Sequence, residues 1–289
     1  MSSIKTDFSQ HHALVTGATS QIGRFLLPRL QAAGFTVTAF SRKPPPKPAP
    51  VIWQAADLHT FSLSISQPSL LFHIAPLPLL PPLLARLPID APLTRVIAFS
   101  STSRFTKATS SDLTEQTIAT QLIDAETQLI AECQDRRIAW TLFRPTLIYG
   151  CGIDKNVTVI ARFIRRFGFF PLLGQGTGLR QPVHADDLAA ASIQACQSPA
   201  AINKAYNLSG GQTLSYRDMV ESIFHQLGKN PRIISIPLPI FKLLTYGIRW
   251  LPSYAHLSTA MIARMNQDLC FDSTAAYHDF GYTPRNFLI

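Results

Sequence analysis

Residues 12–24, His-Ala-Leu-Val-Thr-Gly-Ala-Thr-Ser-Gln-Ile-Gly-Arg, are the stretch of this chain best suited to chemistry. His12 to Val15 are apolar enough for a buried strand, Gly17 ends it, and Ile22, Phe25, Leu26 and Leu30 then recur at helical spacing. A strand, tight turn and helix start of this kind offer unpaired N–H groups and the positive end of a helix dipole to an anion. The spacing Gly17-x-x-Ser20-x-x-Gly23 therefore predicts a site for the phosphates of a nucleotide. Ser20 stands where a glycine is usual, and its hydroxyl can cap the helix or donate to a phosphate. Further on, a predicted second strand, Phe35 to Phe40, ends in Ser41-Arg42-Lys43. In a dinucleotide fold an acid at that strand end accepts from the ribose 2′-hydroxyl, whereas an arginine fits a 2′-phosphate. Arg42 and Lys43 thus favour NADP over NAD; the alternative is a pair of solvated charges ahead of a proline-rich loop, Pro44 to Pro50.

These residues need a scaffold, and the rest of the chain reads as one. Predicted strands at Val51–Gln54, Leu70–Ala75, Arg95–Ser101 and Ile138–Tyr149 alternate with helical stretches, the longest being Asp112–Arg136. Such alternation implies right-handed βαβ units and a parallel sheet whose ligands bind beyond the carboxyl ends of the strands. Ser100, Ser101, Thr102 and Ser103 lie at one such end. Later, Asp186–Gln197 reads as an apolar-faced helix with an acidic first turn and Ala205–Leu208 as a short strand. With 289 residues, 46% hydrophobic and 15% charged, this is a folded α/β protein. The net charge of +9 permits attraction to nucleic acid or anionic membrane, but no basic run exceeds two residues and no nucleic-acid motif is present. An anionic nucleotide is the simpler partner. Cys133, Cys151, Cys196 and Cys270 have neither metal-ligand spacing nor a paired framework, which suits a reducing cytoplasm and no metal. The opening residues do not read as a signal peptide, and the apolar stretch Leu70–Leu87 is broken by four prolines and Arg86, so no membrane span is expected.

A series of motifs then occurs in order: Thr16-Gly-Ala-x-x-x-Ile-Gly23, Ala56-Asp57-Leu58, Phe72-His73-Ile74-Ala75, the Ser100-Ser101-Thr102 strand end, and Arg144-Pro-Thr-Leu-Ile-Tyr-Gly150. Arg180-Gln-Pro-Val-His-Ala-Asp-Asp187, Tyr206-Asn-Leu-Ser-Gly-Gly211 and Phe280-Gly-Tyr-Thr-Pro-Arg285 follow. Together they resemble the extended or atypical short-chain dehydrogenase/reductase superfamily, in particular its NAD-dependent epimerase/dehydratase group, which handles nucleotide sugars. The resemblance implies a Rossmann-type doubly wound parallel sheet over residues 1–150. It also implies a smaller C-terminal substrate lobe over 151–289, from which about 182–209 returns to the sheet. It assigns Gly17, Ser20, Gln21, Ile22 and Gly23 to the cofactor pyrophosphate, Arg42 to a 2′-phosphate, Asp57 and Leu58 to the adenine, and Ala75 to the cofactor's surroundings. Thr102 would meet the substrate oxygen and Arg180 the substrate's pyrophosphate, the alternative for Arg180 being an ion pair with Asp186 or Asp187. The implied partners are NADP, or NAD, and a small nucleotide-sugar-like substrate, in a cytoplasmic protein that can form a homodimer.

One expected feature is missing. Members of the superfamily use a Tyr-x-x-x-Lys pair on the helix after the fifth strand. The tyrosine moves a proton while the nicotinamide moves a hydride, and the lysine lowers the phenol's pKa from its usual value near ~10. Aligning Ala125-Glu126 with the family's Ala-Glu puts Ile118 at the tyrosine position and Leu122 at the lysine position. Between Arg104 and Trp140 there is no tyrosine, and Lys107 is the only lysine. Thr102 alone is a poor acid or base, which leaves Tyr149, at the end of the sixth predicted strand, as the other candidate catalytic residue. His73 reads as a packed histidine near the cofactor, and His184 and Asp187 as anchors of the returning segment. Pro76–Thr94 is proline-rich and is expected to lack the helix the family carries there. Residues 159–173 and 238–251 mix aromatics with basic residues, as substrate-lobe helices burying one face or as contacts for a membrane surface or partner. Two functions follow: an NAD(P)-dependent oxidoreductase or epimerase with an atypical active site, or a catalytically silent NAD(P)-binding accessory, assembly or sensor protein.

Overall fold

The computed structural model describes residues 12–45, 50–236 and 266–289, so the basic-aromatic stretch 238–251 lies outside the described residues. The chain starts with β1 (His12–Thr16), α1 (Gln21–Ala32), β2 (Thr36–Ser41) and β3 (Ile52–Ala55). It crosses to β4 (Ser69–His73), α2 (Leu80–Ala85), β5 (Leu93–Phe99), α3 (Ser103–Thr106), α4 (Leu113–Asp135) and β6 (Ala139–Pro145). After β7 (Ile148–Tyr149), α5 (Val157–Phe167), β8 (Phe170–Leu173), β9 (Leu179–Arg180) and β10 (Val183–His184), helix α6 (Ala185–Gln197) leads to β11 (Lys204–Leu208). Then come β12 (Leu214–Ser215), α7 (Tyr216–Gln226), β13 (Ile233–Ile236) and, among the described residues, α8 (Thr274–Phe280).

Seven strands form one sheet in the order β11-β6-β5-β4-β1-β2-β3, and every pair in it is parallel. The fold is a Rossmann-type α/β sheet. Its central strands are covered on both faces, so β4 is buried at all five positions and reads as a continuous run, Ser-Leu-Leu-Phe-His, rather than as an alternation. One face packs on α1 and α6 through Leu26, Leu30, Leu188 and Ala191; the other packs on α2 and α4 through Leu80, Leu83, Leu84 and Leu129. A third cluster joins α5 and α7 through Ile160, Ile164, Val220 and Phe224. The strand order reverses between β1 and β4, where an open α/β sheet leaves a crevice for a ligand.

Two expectations are corrected. The single strand expected at 138–149 is two strands, because Pro145 has no N–H to continue the ladder; β6 stays in the large sheet while β7 pairs with β10. The 76–94 segment does contain a helix, α2, with Pro81 and Pro82 in its first turn, where amides have no intrahelical partner to lose. No helix among the described residues is long and apolar enough to cross a membrane.

The sheet also holds a buried cation that hydropathy does not announce. Arg95, on β5 and 7% exposed, donates to the carbonyls of Ala195 (2.9 Å) and Cys196 (3.0 Å) and to Thr141 Oγ1 (2.9 Å). Those carbonyls belong to the last turn of α6, where Ala195 also accepts from the Ser198 amide and where the helix dipole favours a positive charge. Arg95→Met keeps the volume and removes these three hydrogen bonds together with the charge at the helix end. It should lower stability by about 2 kcal/mol, read from the midpoint of urea unfolding.

Candidate dinucleotide site

At the switch point the chain after β1 is pressed against the chain after β4. Gly17 has φ +70, and a Cβ there would lie 2.5 Å from the Ala75 nitrogen, so only glycine permits this approach. At Gly23 a Cβ would lie 2.2 Å from the Ala18 carbonyl oxygen, which lets α1 start directly under the turn. Ser20 is the N-cap: its Oγ accepts from the Gly23 amide at 3.2 Å. Accepting this bond uses a lone pair of the hydroxyl and is compatible with its O–H donating to a phosphate. The first-turn amides of Gln21 and Ile22 remain at the positive end of the α1 dipole.

A cleft of about 800 Å³ opens beside this turn. Gly17, Thr19 and Ser20 form its phosphate end, and the exposed Arg42 and Lys43 its basic wall. Asp57, Leu58, Ala75 and Leu79 form a mostly apolar slot. Asp57 Oδ1 accepts from the His59 amide, and Arg86 donates to the carbonyls of Leu58 (2.7 Å) and Phe61 (3.1 Å), which fixes the loop carrying the slot. Gln21, Ile22 and Gly23 sit in the helix behind the cleft. An anion-accepting turn, a basic wall and an apolar slot in one crevice fit the adenosine half of a dinucleotide.

His73 fastens the two sides. Its Nε2 bonds to the Pro76 carbonyl at 3.2 Å; a carbonyl only accepts, so Nε2 carries the proton and Nδ1 accepts from Thr16 Oγ1 at 2.8 Å. Fully buried, the imidazole has its pKa pushed down to about 4 by desolvation, against the opposing pull of the Pro76 bond. It is neutral at physiological pH and has no free nitrogen for proton transfer.

The catalytic candidates lie elsewhere. Thr102 is buried, and both its amide and its hydroxyl donate to the Pro145 carbonyl at 3.1 Å, tying the end of β5 to the end of β6. On α4, Glu126 accepts from Ser100 Oγ at 2.5 Å, and Leu122 and Ile118 stand one and two turns earlier on the same side of the helix. Both are half-buried, and Leu122 packs on the core. Tyr149 is 1% exposed, clasped edge-on by His184 and Phe287, and its hydroxyl accepts from the Leu288 amide at 3.1 Å. Burial raises its pKa. It borders a second cleft, of about 280 Å³, that shares no wall with the first. Arg180 is 5% exposed; it donates to the carbonyls of Leu179 (2.6 Å) and Gln267 (2.7 Å), and its guanidinium lies over the Tyr216 ring. It does not pair with Asp186 or Asp187: Arg29 and Arg285 hold the first and Arg285 the second.

Residues 85–209 match the model of the NAD dependent epimerase/dehydratase family. The likeness read from the motifs is borne out. Over 103 residues the chain is 31% identical to NADH dehydrogenase [ubiquinone] 1 alpha subcomplex subunit 9, mitochondrial, of Arabidopsis thaliana, a match covering 35% of this chain and 25% of that protein. Over 120 residues it is 26% identical to UDP-glucose 4-epimerase of Vibrio cholerae, covering 42% of this chain and 37% of the relative. The chain thus spans well under half the length of these curated relatives. Among solved structures, UDP-glucose 4-epimerase of Thermotoga maritima with UDP-glucose has a TM-score of 0.71 at 16% identity, covering 94% of this chain and 93% of the other. UDP-glucuronic acid 4-epimerase of Bacillus cereus in complex with NAD has a TM-score of 0.70 at 16% identity, with 94% and 93% covered. These structures share the fold.

In this epimerase/dehydratase-like chain the sequence reading used Glu126 only as an alignment marker and missed its role. Its carboxylate also takes Arg104 Nη1 at 2.5 Å and Arg144 Nη2 at 2.7 Å, and both guanidinium groups lie over the Phe105 ring. A charged residue at a core-facing position of an amphipathic helix was the available signal.

The His73 geometry predicts a pH effect. Its folded pKa of about 4 lies below the 6.5 of a free imidazole, so the unfolded chain takes up the proton first as pH falls. The stability from this group is complete above pH 6.5 and is lost as pH drops towards 4. Urea unfolding across that interval should show the parent chain losing about 2–3 kcal/mol more than His73→Gln. Parallel pH profiles would contradict the assignment.

Proposed function

We propose that this chain binds a nicotinamide dinucleotide, NADP in preference to NAD, and serves as a cofactor-binding accessory or sensor protein rather than as an enzyme built on a tyrosine–lysine pair. The observation that carries this reading is the contrast between two places. The cleft at the switch point brings together a helix N-terminus, two basic side chains and an apolar wall, which supports an adenosine dinucleotide, whereas α4 carries Ile118 and Leu122 at the positions where the resemblance expects the tyrosine and the lysine. In this reading the Gly17–Ser20 turn and the amides of Gln21, Ile22 and Gly23 hold the pyrophosphate, and Arg42 the 2′-phosphate. Asp57 and Leu58 meet the adenine, and Ala75 closes the wall. The chain's part is to bind and orient the dinucleotide. The likeness to a subunit of NADH dehydrogenase [ubiquinone] over part of the chain supports an accessory role. Residues 1–150 are then the dinucleotide-binding unit, residues 151–289 the lobe that shapes its open side, and the cytoplasm the compartment.

A second reading is favoured by the fold neighbours solved with UDP-sugars. It makes the chain an oxidoreductase or epimerase of a nucleotide sugar, with Thr102 at the reacting oxygen, Arg180 at the substrate pyrophosphate and Tyr149 as a remote proton donor. The hydroxyl of Thr102 is already given to Pro145, and the Tyr149 phenol is buried with a raised pKa, so neither is poised for proton transfer near neutrality.

Fluorescence titration with NADPH and NADH tests the cofactor site. NADPH should bind more tightly than NADH, and Arg42→Ala should weaken NADPH by about tenfold while leaving NADH nearly unchanged, the loss of one charge-assisted contact. No binding of either would overturn the proposal. For the chemistry, the expected result is no NAD(P)H-dependent turnover of UDP-glucose or UDP-glucuronic acid. Turnover abolished by Arg180→Ala would establish the second reading.

A further inference from the structure

Helix α5 buries Val157, Ile160, Ala161 and Ile164 against the α7 side of its lobe. A surface helix packed in this way ordinarily turns a polar face to solvent. On α5, Val159, Phe163 and Phe167 also follow one another at i, i+4 and i+8 along one flank of the buried face, with Val159 51% and Phe167 52% exposed and Phe163 half-buried. The rings of Phe163 and Phe167 are 4.6 Å apart and Phe169 meets Phe163 edge-on at 5.7 Å, so the three form one apolar ridge. Arg162, Arg165 and Arg166 are exposed beside it, and α5 contains no aspartate or glutamate. Arg162 donates to the Gly152 carbonyl, and the Arg166 guanidinium lies over the Phe167 ring at 5.4 Å. Exposed Lys155 precedes the helix, and exposed Arg232 takes the Phe170 amide on its carbonyl next to the ridge.

We propose that this ridge docks the protein on an anionic phospholipid surface, with α5 lying in the plane of the interface. Val159, Phe163 and Phe167 would enter the acyl boundary, and the arginines would meet lipid phosphates. An 11-residue helix is about 16 Å long, half the ~30 Å hydrocarbon thickness, so it lies on a bilayer and cannot span it. Charge decides between occupants. A second copy docked by two-fold symmetry would set Arg162, Arg165 and Arg166 against their own counterparts. A single-stranded nucleic acid needs ring faces open for stacking, and here the rings are turned onto one another.

The test is co-sedimentation of the purified chain with vesicles of phosphatidylcholine alone and of phosphatidylcholine mixed with phosphatidylglycerol. The chain should bind only the mixed vesicles, and less well as salt rises. The double variant Val159→Gln/Phe167→Gln should lower partitioning by about tenfold or more, and Arg166→Gln by about fivefold. Thermal unfolding should be unchanged in these variants, since the substituted side chains are exposed; NADPH titration of the same samples reads the cofactor site separately. Failure to bind the mixed vesicles, or binding indifferent to the double variant, would overturn the proposal. So would a dimer that the double variant dissolves, or oligonucleotide binding that it abolishes.

Discussion

The structure depends on one close approach, that of the turn after β1 to the chain after β4. With a Cβ at Gly17 the backbone at Ala75 would have to move, and with it the loop that carries the apolar wall of the cleft. The approach is fastened by a short chain of bonds: the Thr16 hydroxyl to His73, His73 to the Pro76 carbonyl, and the Ile74 amide to the Thr16 carbonyl. These bonds cross the point where the strand order reverses. They set the α1 N-terminus and the Ala75–Leu79 wall at a fixed separation, so the phosphate end and the apolar slot of the cleft are two consequences of one contact.

On the other side of that crevice the fold has been kept by different means. Glu126 gathers Ser100, Arg104 and Arg144, and thereby pins α4 to the ends of β5 and β6. The Glu126 carboxylate is 3% exposed between two guanidinium partners, and removing either side would leave an uncompensated charge. Thr102 adds its two donors to the same join. The helix that would carry a proton-transferring pair is therefore held in place by groups unrelated to proton transfer. Ile118 and Leu122 can occupy its face without loss of the scaffold.

Much of this was legible in the residues because it is local. A strand, a left-handed glycine and a capped helix at 12–24 follow from neighbours in sequence, as do the basic strand end at 41–43 and the long α4. What escaped is non-local. Arg95 looks like an interruption of a strand until the end of α6, a hundred residues later, supplies its acceptors. Tyr149 reads as a strand-end residue facing the cleft, yet Pro145 splits that strand and β7 joins β10, which turns the phenol towards His184 and Phe287. The helix in the proline-rich stretch was hidden because proline opposes helix interiors but suits first turns. The ion pair with Asp186 or Asp187 that stands as the alternative for Arg180 is taken instead by Arg29 and Arg285, which are distant in sequence and close in space.

In the proposed function the cleft beside Gly17 holds a dinucleotide, and the side of α4 that carries Ile118 and Leu122 takes no part in its binding. Hydrogen exchange of the backbone amides with and without NADPH addresses both halves at once. Slower exchange at residues 19–23 and 57–59, with no change over the first two turns of α4, is the result expected from this geometry. Protection centred on α4, or none at the α1 N-terminus, would contradict it.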